Sequence, residues 1–156
     1  MNARLVYIQS SKESWAEEAG ALYEKKLKGF GQFELLAVKA KSMGRESSEK
    51  KKSLESELLV SKIENSDMNI LLDEAGRSFA DSIEFSKWIE KGFENHRRIS
   101  FFIGGAYGVS EEYKNNFNHS VSLSGFTMNH HLAKTVLLEQ FYRALTILKG
   151  IPYHNS

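Results

Sequence analysis

The chain has 156 residues, 41% apolar and 26% charged, with 10 Phe, 6 Tyr and 2 Trp. This is the size and make-up of one folded domain spanning 1–156, and it excludes a disordered chain. Lys plus Arg total 21 against 20 Asp plus Glu, so the balance gives no whole-molecule pull toward nucleic acid or anionic lipid, and the lack of Cys excludes disulfides, thiolate nucleophiles and Cys-based zinc sites.

In chain order, residues 4–9 read as a first strand. Lys12 to Lys28 read as an amphipathic helix with Trp15, Ala19, Leu22, Tyr23 and Leu27 on one face, stopped by Gly29. Residues 33–38 form a second apolar run of strand length. The segment from Lys39 to Lys52 is the most polar. It carries Lys39, Lys41, Arg45, Lys50, Lys51 and Lys52 against Glu46 and Glu49. Ser47 and Ser48 are expected caps for a helix to about Asn65 with Leu54, Leu58 and Ile63 inward. Residues 69–73 predict a third strand, and 74–77 a turn. A helix bearing Phe85, Ile89 and Phe93 follows. Residues 99–103 predict a fourth strand, closed by the glycines of GGAYG. Ser110-Glu111-Glu112 predict the cap and acidic first turn of a short helix. Residues 120–124 predict a fifth strand, and 130–149 a last helix.

Strands alternating with helices predict an α/β fold with a mostly parallel sheet covered on both faces. The last helix is apolar on nearly every side, which calls for burial all round, by a partner copy or by a large core. The short apolar run at the N-terminus does not resemble a secretory leader, and no stretch reaches the roughly 20 apolar residues of a membrane span. A cytoplasmic location without membrane contact is the expectation.

Ligands of open α/β sheets bind beyond the carboxyl ends of the strands. Three such ends are unusual here: Leu72 to Arg77, Ile103 to Gly108 and Ser122 to His130. The glycine spacing G-G-x-x-G is neither a dinucleotide fingerprint nor a phosphate-binding loop with Gly-Lys-Ser/Thr. Val38 leads into Lys39, so no acid ends the second strand to hold a ribose. Asp73 and Glu74 point to opposite faces of a strand and predict a turn or cap role. His130 and His131 diverge on a helix, and no HxxxH or HExxH is present, so no metal is expected. Arg143 inside the apolar helix needs a partner: Glu139 one turn earlier, or an anion or electron-rich base.

The motifs LDEAG (72–76), FFIGGAYG (101–108), SLSGFT (122–127) followed by His130, LLEQFYRA (137–144) and the terminal Tyr153-His154 occur in one order. Together they resemble the RlmH family of SPOUT-class methyltransferases over essentially the whole chain. The resemblance implies a SPOUT-type fold with a C-terminal deep trefoil knot and a homodimer. It implies a methyltransferase that uses S-adenosylmethionine on N3 of a pseudouridine in large-subunit (23S) ribosomal RNA, within the assembled ribosome. Carried over by position, the cofactor-binding residues are Leu72, Gly104, Leu123, Ser124, Gly125, Phe126, Thr127 and Met128. The catalytic, substrate-facing residues are Arg143, Tyr153 and His154, with His154 crossing the dimer seam or folding back. Two positions depart from the family pattern: Asn129 stands where Pro is usual, and Lys134 where Arg is common. RNA contact is expected from Lys39–Lys52. A SPOUT enzyme on another RNA and a nonenzymatic, flavodoxin-like nucleotide-binding module are the rival expectations.

Overall fold

The computed structural model describes residues 1–41 and 44–155. Ten elements follow one another: β1 (Asn2–Ile8), α1 (Ser14–Lys28), β2 (Gln32–Val38), α2 (Ser48–Val60), β3 (Asp67–Arg77), α3 (Ser82–Asn95), β4 (Arg98–Ile103), α4 (Glu111–Lys114), β5 (His119–Val121) and α5 (His130–Lys149). The strands form one sheet in the order β2-β1-β4-β3-β5. Every neighbouring pair is parallel, so all carboxyl ends open on the same side.

Strand alternation sends neighbours to opposite faces, and both faces are apolar. Leu5, Ile70 and Phe101 face a core shared with α1, α3 and α5, whereas Val6, Leu71 and Phe102 face a second core with Leu59 of α2 and Phe117. Phe141 of α5 is 1% exposed and packs 5.1 Å from the Phe101 ring and 6.2 Å from Phe33. Burying an aromatic of this kind contributes about 2–3 kcal/mol, so α5 is held by its contacts rather than by helix propensity. At the amino ends of the strands, buried Asp67 accepts hydrogen bonds from Arg98 Nε (2.7 Å) and Ser100 Oγ (2.8 Å), while Arg4 Nε donates to Ser100 Oγ. This pins the end of the sheet opposite the unusual loops.

Four expectations need correction. The inward face of α1 is Ala16, Gly20 and Leu27 with Tyr23 beside them; Trp15 and Leu22 are 45% and 52% exposed. In α2, Ser56 and Leu59 are the buried residues, Leu54 and Leu58 are only half-buried, and the helix ends at Val60. Residues 74–77 are not a turn: β3 runs on through Arg77, with a bulge that pairs both Leu72 and Arg77 with Val121. The close approach explains Gly76, where a Cβ would lie 2.5 Å from the Ser120 carbonyl carbon. Finally, β5 is only three residues long, and 122–124 belong to the loop beyond it. Part of the Lys39–Lys52 expectation, Ser42 and Met43, lies outside the described residues.

Candidate cofactor cleft and a basic tail cluster

A cleft of about 360 Å³ opens beyond the carboxyl ends of β3, β4 and β5. Of the expected cofactor residues, Leu72, Gly104, Leu123, Ser124, Phe126, Thr127 and Met128 line it; Gly125 does not. Three loops distant in sequence therefore meet in one cavity. Parallel pairing brings them there, because β4 lies between β1 and β3, and β5 pairs with β3.

Each loop has a local reason for its shape. Past β4, Gly105 O accepts the Gly108 N–H at 3.0 Å, and Gly108 has φ +77, a left-handed turn that glycine adopts freely. Past β5, the Ser122 N–H donates to Arg77 O at 2.9 Å, Ser122 Oγ donates to Ser124 O, and Ser124 Oγ accepts from the Phe126 N–H. Asn129 then caps α5 by accepting from the His131 N–H at 2.8 Å, so a residue other than Pro starts this helix well.

The walls are mixed. Leu72, Ile103, Val121, Leu123 and Met128 supply apolar surface. Among the described residues no hydrogen bond engages the N–H groups of Leu123, Gly125, Thr127 and Met128. Free backbone donors beside apolar walls fit a nucleoside, whose ring needs both. On the rim, Asp73 pairs with Lys114 Nζ at 2.9 Å and accepts from the Ala75 N–H. Burial pushes the Asp73 carboxyl up, but the hydrogen bonds from Lys114 and Ala75 outweigh it and hold it below the usual carboxylate range. Asp73 is thus a tied structural anion within β3 rather than the turn or cap residue that its place at a strand end predicted.

The expected catalytic residues gather elsewhere. Arg143, Tyr153 and His154 do not line the cleft. Glu139 Oε1 accepts from Arg143 Nη2 (2.6 Å) and Nε (3.1 Å), and from the Tyr153 hydroxyl (3.0 Å). Gly150 ends α5 in the left-handed conformation, turning the tail back along the helix. His154 Nδ1 then lies 3.3 Å from Arg143 Nη1. A guanidinium only donates, so in this contact Nδ1 is the acceptor. The hydrogen bond to Glu139 raises the Arg143 pKa further, and burial together with the Glu139 bond and charge holds the Tyr153 phenol well above its ordinary range. Both stay protonated across physiological pH. Glu139, weighed in the sequence only as a pairing partner, is the hub of this cluster; its spacing of four from Arg143 was the available signal.

From His130, which lines the cleft, to Arg143 is 13 residues of α5, roughly 20 Å of helix. Within one chain the cleft and the tail cluster are separate.

The family model described as "Predicted SPOUT methyltransferase" matches residues 1–154. The chain is 44% identical over 152 residues to the Ribosomal RNA large subunit methyltransferase H of Bdellovibrio bacteriovorus, covering 97% of each. It is 36% identical over 160 residues to the protein of that name from Christiangramia forsetii, covering 99% of each. Among solved structures, a protein from Legionella pneumophila assigned as a methyltransferase, in complex with the bound cofactor SAM, matches with a TM-score of 0.53 at 11% identity over 93% of this chain and 66% of that one. A "probable methyltransferase" from Bordetella pertussis Tohama I matches with a TM-score of 0.56 at 13% identity, covering 92% and 96%. The chain belongs to the SPOUT methyltransferase family and, within it, to the RlmH family.

Proposed function

We propose that the chain transfers a methyl group from S-adenosylmethionine to N3 of a pseudouridine in large-subunit ribosomal RNA, acting as a cytoplasmic homodimer on the assembled ribosome. The observation that carries this reading is the convergence of Leu72, Gly104 and the 123–128 loop on one cleft whose free backbone groups and apolar walls suit an adenosine. The family membership and the activity for which the relatives are named support it.

The knot belongs to the same proposal. After β5, at one edge of the sheet, the chain passes the loop beyond β4 and reaches the end of β1, where Ser10 Oγ meets His130 Nε2. A path of this kind across the strand ends suits a threaded C-terminal segment. The homodimer is supported by the separation of cleft and tail cluster: a second copy would bring its Arg143 to the first copy's cleft. Exposed Trp15, Leu22, Leu132 and Ile151 offer apolar surface for such a partner.

Bound S-adenosylmethionine supplies an electrophilic methyl on a sulfonium. The chain's residues do the rest. The 123–128 backbone and Leu72 orient the nucleoside, which is the larger share of catalysis when the leaving group is already activated. Arg143, charged at every relevant pH, stabilises the anion that forms on the uracil ring as N3 loses its proton. His154 accepts a proton at Nδ1 once the Arg143 guanidinium turns from it to the base. Glu139 and Tyr153 hold Arg143 in place. Lys50, Lys51 and Lys52 lie in the first two turns of α2, and Lys52 lines the cleft, which supports contact between this end of the basic segment and RNA phosphates.

The test is transfer of labelled methyl from S-adenosylmethionine to ribosomes lacking the modification, followed by mass mapping of the RNA. A methylated pseudouridine in large-subunit RNA is expected, lost with Arg143→Ala while nucleoside binding persists. Methyl on another RNA, or none, overturns the assignment.

A further inference from the structure

A second, smaller depression borders the amino end of α5. About 10 Å³ in volume, it is lined by Tyr7, Ser10, His131 and Lys134 among others, and shares Ile103, Gly104 and His130 with the cleft. Among the described residues one of its polar groups is unsatisfied, and another is a cation without an ion pair. Lys134 is only 4% exposed, and its ammonium makes no hydrogen bond or ion pair among the described residues; it rests over the Tyr7 ring at 4.4 Å. His131 Nε2 is buried and has no hydrogen-bond partner. Buried polar groups are almost always paired, so an orphaned ring nitrogen beside a nearly buried ammonium that forms no ion pair makes this depression suited to an acceptor.

The spacing explains the meeting. His130 and Lys134 are four apart, and His131 and Lys134 three apart, so the first turn of α5 turns these side chains to one region. The positive end of a 20-residue helix adds to the same field. Burial lowers the Lys134 pKa, the penalty expected of a cation without a counterion; Glu17 on the rim opposes it without forming an ion pair. An anion entering here would remove that penalty.

We propose that this depression is a subsite for an anionic oxygen group, a carboxylate or phosphate edge received by the Lys134 ammonium and the His131 Nε2–H. The inference rests on the methyltransferase reading, which names two sources. One is the carboxylate of the cofactor's amino-acid tail, arriving from the adjoining cleft. The other is a phosphate of the substrate RNA. The space is about that of one water, so it admits the oxygens of an anion and not a nucleoside.

The experiment is calorimetry on the full chain with S-adenosylmethionine and with 5′-methylthioadenosine, which lacks the amino-acid tail, alongside methyl transfer to ribosomes at several salt concentrations. Lys134→Met is compared with the charge-retaining Lys134→Arg and with His131→Phe, which keeps the ring packing should Lys134→Met fold poorly. A carboxylate subsite predicts that Lys134→Met weakens S-adenosylmethionine binding roughly ten- to a hundredfold, the range of a hydrogen bond to a charged group, and leaves methylthioadenosine unchanged. A phosphate subsite predicts unchanged cofactor binding, a KM for ribosomes raised by a similar factor and a shallower salt dependence. Lys134→Arg restores either loss in large part, and His131→Phe shares it. Variants indistinguishable from the parent in all three measurements, with methylthioadenosine still bound, overturn the inference alone and leave a water-filled structural pocket. A parent chain that binds neither nucleoside overturns the methyltransferase reading and the inference together.

Discussion

The Arg143 guanidinium lies 4.7 Å from the centroid of the Tyr153 ring, and both residues hydrogen-bond the same oxygen of Glu139. A side chain of the last helix and one of the tail are thereby locked into a single unit. The geometry leaves one face of the guanidinium against the ring and, among the described residues, engages Nη1 only with His154.

Glu139→Gln removes the charge that organises this unit. The ion pair is partly exposed, with side chains 24% and 22% accessible, so its loss costs under about 1 kcal/mol of stability. Turnover should nonetheless fall by roughly tenfold or more, because a misplaced guanidinium no longer meets the base. Thermal melting and single-turnover methyl transfer, measured together, check the contrast. Equal turnover in parent and variant would remove Glu139 from the positioning role.

Stability should soften on the acid side in two steps. Burial lowers the pKa of His119 and of His130, with neighbouring His96 and Arg77, and His131 and Lys134, acting in the same direction. A histidine with a depressed folded pKa contributes stability above its unfolded value near 6.5, lost as pH falls through the folded value. The melting temperature should therefore begin to drop just below about pH 6.5, and His130→Asn should flatten part of that drop.

The second step belongs to Asp73, whose carboxyl is held low by Lys114. Its contribution is present above the unfolded carboxylate pKa and lost as pH falls through the lower folded value. Lys114 is raised: burial alone would lower it, but its bonds to Glu111 and Asp73 prevail. Its share persists below its unfolded pKa and fades as pH rises through the folded one. Asp73→Asn should cost about 1 kcal/mol near neutrality and remove the steepest part of the acid limb in a melting series from pH 2 to 7.

Two glycines should respond differently to a methyl group. At Gly76 a Cβ meets backbone, 2.5 Å from the Ser120 carbonyl carbon, so Gly76→Ala must displace β5 and should cost about 1–3 kcal/mol. At Gly105 the Cβ would meet Glu55 Oε2 at 2.2 Å, the tip of a flexible side chain. Gly105→Ala should therefore be rescued by Glu55→Ala, whereas no single partner change rescues Gly76→Ala. Denaturant melts of the four variants settle the comparison.

The apolar strands were legible because continuous runs such as residues 99–103 are buried on both faces. The last helix was legible to its end residues, since Asn129 caps it and Gly150 closes it. The inward face of α1 was not. It is built on Ala16 and Gly20, small residues that carry no hydropathy signal, while Trp15 and Leu22 draw the eye to another face. The bulge in β3 was hidden for a different reason. It depends on pairing with Val121, more than 40 residues on, and no local pattern encodes it. The cleft residues came from resemblance, and their meeting is a product of strand order. Glu139 was visible as a pairing partner, but its bond to Tyr153 depends on the turn at Gly150, and its importance emerges only when the tail folds back.

The most direct test of a cleft from one copy completed by Arg143 from another is a mixing experiment. Thr127→Trp fills the cleft at an exposed position, and Arg143→Ala removes the cationic group; each alone should be inactive. Mixed after subunit exchange, half the dimers are hybrids with one intact site, so roughly a quarter of parental methyl transfer should return. A mixture no more active than either variant alone would show that each site is complete within one chain and contradict the account.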